Sequence, residues 1–167
     1  MTKVILVAFV FAVCTWTGFY KSNIIKGRYQ NLCYMKAALS NLKMRISFFG
    51  YDISRALENS AKNTTVEGLF KSAALMVEKE GVQKAWNKAV DENYKELFFE
   101  EEDCMVLKML STRLGMTDSE GQIKNVDGVC AMLDTNIENA KQKKEKYSSL
   151  YLRGGVLVGI FLGLVII

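Results

Sequence analysis

The feature that most constrains this chain is where its charge is absent. Both ends are apolar and almost uncharged, and the middle carries nearly every ionisable group. Val4 to Tyr20 is a run of seventeen residues without a charge. At about 1.5 Å per residue that run gives roughly 25 Å of helix, close to a hydrocarbon core of about 30 Å, and Thr2 and Ser22 to Ile25 can extend it. Gly154 to Ile167 is a second run, of fourteen apolar residues. Counted back to Tyr147 it reaches about 31 Å, with Arg153 near one end, where a long side chain can turn its charge toward the headgroups. Backbone in lipid must satisfy its own hydrogen bonds, so each run is expected to be a helix.

Lys3 followed by an apolar run has the outline of a signal peptide. However, no small-x-small cleavage pattern follows, and Phe11-Ala12-Val13-Cys14 lacks the small residue a lipoprotein box needs before its cysteine. A retained anchor is therefore expected, and the chain divides into a first membrane helix (1–21), a water-facing region (22–146) and a second membrane helix (147–167). Lys21, Lys26 and Arg28 follow the first span, and Lys141, Lys143, Lys144, Lys146 and Arg153 precede or begin the second. The positive-inside bias then places the middle in the cytoplasm and both termini on the opposite side. Trp16, Tyr20, Tyr147 and Tyr151 fall at the inner ends of the spans, where interfacial aromatics gather.

The middle is expected to be helical. The chain has no proline, the residue that breaks helix interiors. Leu32, Met35, Leu39, Leu42, Ile46 and Phe49 step by three and four, which is one helix face, with Gly50 as a stop. Asp52 offers a cap for a short helix through Leu57. Thr64 and Glu67 have capping-box spacing before Val66, Leu69, Phe70, Ala73 and Val77, and Gly81 is a stop. Val82, Trp86, Ala89, Val90 and Leu97 form the next stripe, with Trp86 expected in the core, and Val106, Leu107, Leu110 and Leu114 form another that ends at Gly115. Thr117 and Glu120 repeat the box spacing before Ile123, Val126, Cys130, Leu133, Ile137 and Ala140. With no break between Gln142 and the second span, the last helix is expected to run on into the membrane. The fold class is all-α: a cytoplasmic antiparallel bundle of about six helices flanked by two transmembrane helices.

The chemistry open to such a chain is narrow. There is no histidine, so histidine-based triads and the commonest metal ligand are excluded. Cys14, Cys33, Cys104 and Cys130 have no CxxC spacing and read as scattered buried thiols facing a reducing cytoplasm. No phosphate loop and no nucleophile elbow occur. The net charge of +4, from 22 basic and 18 acidic groups, is too balanced to argue for nucleic acid. No catalytic site, cofactor or metal is expected.

Two surfaces remain as candidates for binding. Gly155, Gly159 and Gly163 stand four apart on one helix face, where a second helix can approach closely. The partner is either the first span, through Ala8, Ala12 and Thr15, or another protomer. Glu96, Glu100, Glu101, Glu102 and Asp103 form an acidic knot. It reads either as a docking patch or as carboxylates favoured at a helix N-terminus by its partial positive charge.

Several motifs go further. Thr15-Trp16-Thr17-Gly18-Phe19, the helix Leu39-Ser40-Asn41-Leu42-Lys43-Met44-Arg45-Ile46, the turn Leu114-Gly115-Met116-Thr117-Asp118 followed by Gln122, and the glycine-rich last span occur in an order that resembles stage III sporulation protein AB of spore-forming Firmicutes. The resemblance covers the whole chain, although Arg45 stands where the family often has an acid. It implies a product of the eight-member mother-cell operon that helps build the channel between mother cell and forespore. It also implies residence in the outer forespore membrane and a soluble domain similar to that of the F platform protein of type II secretion and type IV pilus systems. The implied partners are the operon's secretion-type ATPase, stage III sporulation protein AA, other membrane proteins of the operon, and a second copy of the chain, since the F protein has two such domains. On its docking reading the acidic knot would face the ATPase, and Gly115, Thr117, Asp118 and Gln122 form the family-pattern turn. The competing expectation is a membrane-tethered regulatory adaptor unrelated to transport.

Overall fold

The computed structural model describes residues 2–49, 52–115 and 119–166. Six α-helices follow in order: α1 (Thr2–Phe49), α2 (Ile53–Ser60), α3 (Glu67–Glu80), α4 (Val82–Asn93), α5 (Glu101–Met109) and α6 (Ser119–Ile166). A 3-10 turn, Leu110–Thr112, follows α5, and no strand occurs among the described residues. The fold is all-α. α1 and α6 are 48 residues each, so each apolar run continues a bundle helix without a break. The chain forms two compact units, one of Gln30–Glu138 and one of Met1–Tyr29 with Asn139–Ile167, and each takes part of α1 and part of α6.

The first unit is the bundle. Its core follows the stripes in the sequence. Leu32, Met35, Leu39, Leu42 and Ile46 of α1 are buried with Leu57, Leu69, Phe70, Trp86, Val90, Leu107, Leu110, Leu114, Val126 and Leu133. At about 1.5–3 kcal/mol for each large apolar side chain removed from water, this burial drives the unit's folding. Trp86 sits at the centre with 0 % exposure, meets Phe70 edge-on at 5.3 Å, and donates its indole N–H to Leu107 O at 2.7 Å. Lys36 pairs with Asp134 and Lys43 with Asp127, so α1 and α6 run antiparallel here. Side-chain amides tie loops to the helices. Asn31 of α1 donates to Leu97 O at 2.9 Å and accepts from Thr65 Oγ1 at 2.6 Å. Asn125 of α6 donates to Leu110 O at 2.7 Å.

The helix ends depart from the capping motifs. Thr64 and Glu67 do not form a capping box: α3 begins at Glu67 with Val66 as its N-cap. The Thr64 hydroxyl instead donates to Ala61 O at 2.6 Å, and the Glu67 carboxylate accepts from Asn63 N at 2.9 Å. Short hydroxyls compete for nearby backbone in this way, and here the turn before the helix captures the group. Asp52 precedes α2 without a side-chain cap, and its carbonyl accepts from Ala56 N. Gly81 does end α3, at φ +77°, with its N–H on Val77 O at 2.9 Å. Gly50, Met116, Thr117 and Asp118 lie outside the described residues.

Candidate functional site

The second unit is a helical hairpin, and its packing is the reverse of a soluble core. Large apolar side chains face outward: Phe9 is 67 % exposed, Trp16 72 %, Phe161 66 % and Leu164 71 %. Gly18, Ser22, Ser148, Gly159 and Gly163 are among the residues turned inward. α1 and α6 are each long and apolar enough to cross a membrane.

The glycines set how closely the two helices approach. A Cβ on Gly18 would lie 2.5 Å from Tyr151 O and 3.1 Å from the Cα of Gly155. A Cβ on Gly155 would lie 2.8 Å from Cys14 O, and one on Gly159 2.9 Å from the Phe11 ring. Gly163 faces Val7 at 3.1 Å. Backbone touches backbone at Gly18 and Gly155, so no side chain fits between them. The glycine face of α6 therefore packs within the chain, against Val7, Phe11, Cys14 and Gly18 of α1. Ala12 is exposed, and Ala8 lies at the edge, lining a shallow groove with Gly159 and Gly163. The sequence offers Ala8, Ala12 and Thr15 as the small partners on α1, whereas the close contacts fall on Gly18 and on Phe11 and Cys14. The available signal was the four-residue step from Cys14 to Gly18. Beyond the glycines the Ser22 and Ser148 hydroxyls, both buried, meet at 3.2 Å, a link with no sequence signature. Lys144 then lies over the Tyr29 ring at 4.2 Å.

On the bundle, the acidic knot resolves into two roles. Glu100 is the N-cap of α5, in a reciprocal capping box with Asp103. The Asp103 carboxylate accepts from Glu100 N at 2.9 Å and from Asn136 Nδ2 of α6 at 2.8 Å, and the residue is 0 % exposed. Asp103 is thus a buried joint between α5 and α6. Glu96, Glu101 and Glu102 point to solvent. The family-pattern turn has an internal explanation as well. Gly115 adopts φ +74°, and the Gln122 side-chain oxygen accepts its N–H at 3.2 Å, fastening the turn after the 3-10 segment to the start of α6. Thr117 and Asp118 lie outside the described residues. The four cysteines are free thiols, and burial pushes those of Cys104 and Cys130 above their ordinary range, which keeps both protonated and weakly nucleophilic.

Comparison with known proteins agrees with this architecture. The family model described as stage III sporulation protein AB matches residues 3–167. Stage III sporulation protein AB of Bacillus subtilis (strain 168) is 25 % identical over 166 residues, 97 % of each chain. A solved structure of stage III sporulation protein AB superimposes with a TM-score of 0.66 at 21 % identity, over 72 % of this chain and 98 % of that one.

Proposed function

The chain belongs to the stage III sporulation protein AB family, and on that premise we propose that it is a membrane platform without catalytic activity of its own. Its role is in sporulation. In the proposed account the hairpin anchors the chain in the outer forespore membrane, with both termini on the far side. The bundle then faces the mother-cell cytoplasm and docks the secretion-type ATPase, stage III sporulation protein AA, as part of the channel into the forespore. The observation that carries the reading is the continuity of α1 and α6. Each is a single helix from the packed bundle into an apolar run, with no loop between the two.

The docking face is proposed at the exposed acids Glu96, Glu101 and Glu102. Asp103 and Glu100 are already engaged in the α5 cap, and the α6 glycines are already engaged against α1. Self-association, and contact with other membrane proteins of the operon, would use the outward faces of the hairpin. The test is co-purification of the full chain, in lipid nanodiscs, with the ATPase. The intact chain is expected to retain it, and a Glu101→Lys/Glu102→Lys variant to bind about tenfold or more weakly, as loss of close charge pairs gives. Failure of the intact chain to bind contradicts the platform reading. Full binding by the charge-reversed variant moves the docking face elsewhere.

A further inference from the structure

The hairpin brings two basic segments, far apart in sequence, to one level. Ser22 and Ser148 share a hydrogen bond, and Lys144 lies over Tyr29. Residues 21–28 of α1 and 141–153 of α6 are therefore neighbours. Together they hold Lys21, Lys26, Arg28, Lys141, Lys143, Lys144, Lys146 and Arg153, against the single acid Glu145. That is eight of the chain's 22 basic residues and one of its 18 acidic ones, which leaves the remainder of the chain with 14 against 17. The whole positive excess of the protein sits in this short stretch of hairpin.

We propose that this stretch is a binding collar for anionic phospholipid headgroups. At about 100° per residue, the spacing of the cations turns them round both helices and does not concentrate them on one face. Lys21, Lys26, Lys141, Lys143, Lys146 and Arg153 are exposed. Tyr20 and Tyr151, on the apolar side of the Ser22–Ser148 link, are 56 % and 44 % exposed, which marks the level of the headgroups. The rise is about 10 Å from Lys21 to Arg28 and about 18 Å from Lys141 to Arg153, against a Debye length of about 8 Å at physiological salt, so the cations nearest Tyr20 and Tyr151, namely Lys21, Lys26, Lys146 and Arg153, feel a charged lipid surface most strongly. A cluster of this size beside a span selects acidic lipid electrostatically, without a shaped pocket. The collar would fix the depth of the hairpin and gather anionic lipid around the chain. It rests on the reading that both apolar runs lie in a bilayer.

Trp16 provides the test. It is 72 % exposed on the span close to the collar, whereas Trp86, the second tryptophan, is sealed in the bundle core and adds a constant background. The full chain is reconstituted in phosphatidylcholine bilayers containing increasing fractions of phosphatidylglycerol or phosphatidylcholine with brominated acyl chains, and tryptophan quenching is recorded. Brominated phosphatidylglycerol is expected to reach half-maximal quenching at about half or less of the fraction needed with brominated phosphatidylcholine. The preference is expected to shrink toward unity for a Lys21→Gln/Lys26→Gln/Lys146→Gln variant and, for the unaltered chain, in high salt. Equal quenching by the two lipids in the unaltered chain, or a preference indifferent to both variant and salt, overturns the collar. Absence of quenching by either lipid overturns the bilayer reading beneath it.

Discussion

The bundle and the hairpin are built from the same two long helices and yet pack by opposite rules. In the bundle the residues turned inward are large, including Trp86, Phe70, Met35 and a set of leucines, and the surface is charged. In the hairpin Gly18, Gly159, Gly163, Ser22 and Ser148 turn inward, while Phe9, Trp16, Phe161 and Leu164 face out. In water, burying large apolar side chains is the main driving force, so the bundle collapses around them. In lipid that force is absent between helices, because the tails are as apolar as leucine. What remains is close backbone contact, which needs residues without side chains. The reversal of packing along α1 and α6 is the pattern that a change of solvent along each helix would produce.

The largest expected effect falls on the bundle alone. Trp86→Ala removes a fully buried indole and its bond to Leu107 O and should cost about 3–5 kcal/mol, read as a lowered denaturation midpoint of the bundle. Preserved hairpin packing in the same variant would keep the two regions independent; joint collapse would show that they are coupled. A second contrast lies within the acidic knot. Asp103→Ala strands the Glu100 N–H and the Asn136 amide and should destabilise by about 1–3 kcal/mol. Glu102→Ala, at the exposed neighbour, should stay within about 0.5 kcal/mol. Equal effects would mean that Asp103 is not a buried joint between α5 and α6.

The hairpin has its own lever. Gly18→Leu forces a side chain against Tyr151 O and the backbone of Gly155, an overpacking cost of about 1–3 kcal/mol that only helix separation relieves. With the native cysteines replaced by serine, a Ser22→Cys/Ser148→Cys pair should oxidise to a disulfide in membranes. Adding Gly18→Leu should suppress that crosslink while leaving the melting of the bundle unchanged. The smallest effect is a gain. Gly128 of α6 has open space where a Cβ would sit, so Gly128→Ala should stabilise the bundle by about 0.5–1 kcal/mol in the same denaturation assay.

Much of the fold was legible because periodicity is a local property. The stripe from Leu32 to Ile46 and the one through Val126 and Leu133 required only spacing, and Gly81 required only its own freedom at positive φ. The capping box expected at Thr64 failed because a hydroxyl has several backbone acceptors within reach, and the sequence does not rank them. The sites were less legible for a different reason: each depends on a distant residue. Asp103 stands in a run of acids that looks uniformly solvated until Asn136, on another helix, is brought to it. Gln122 gains a role only through Gly115, and the glycine face of α6 gains its partner only through Gly18.

The central claim is that the hairpin lies in the bilayer and holds the bundle at the cytoplasmic surface. The most direct measurement uses a single reporter cysteine, Lys62→Cys, at the exposed turn between α2 and α3, in a chain whose native cysteines are replaced. Intact cells of an expression host are treated with a membrane-impermeant maleimide before and after permeabilisation. The account requires Lys62→Cys to stay unlabelled until the membrane is opened. Labelling in intact cells would place the bundle on the wrong side and contradict it.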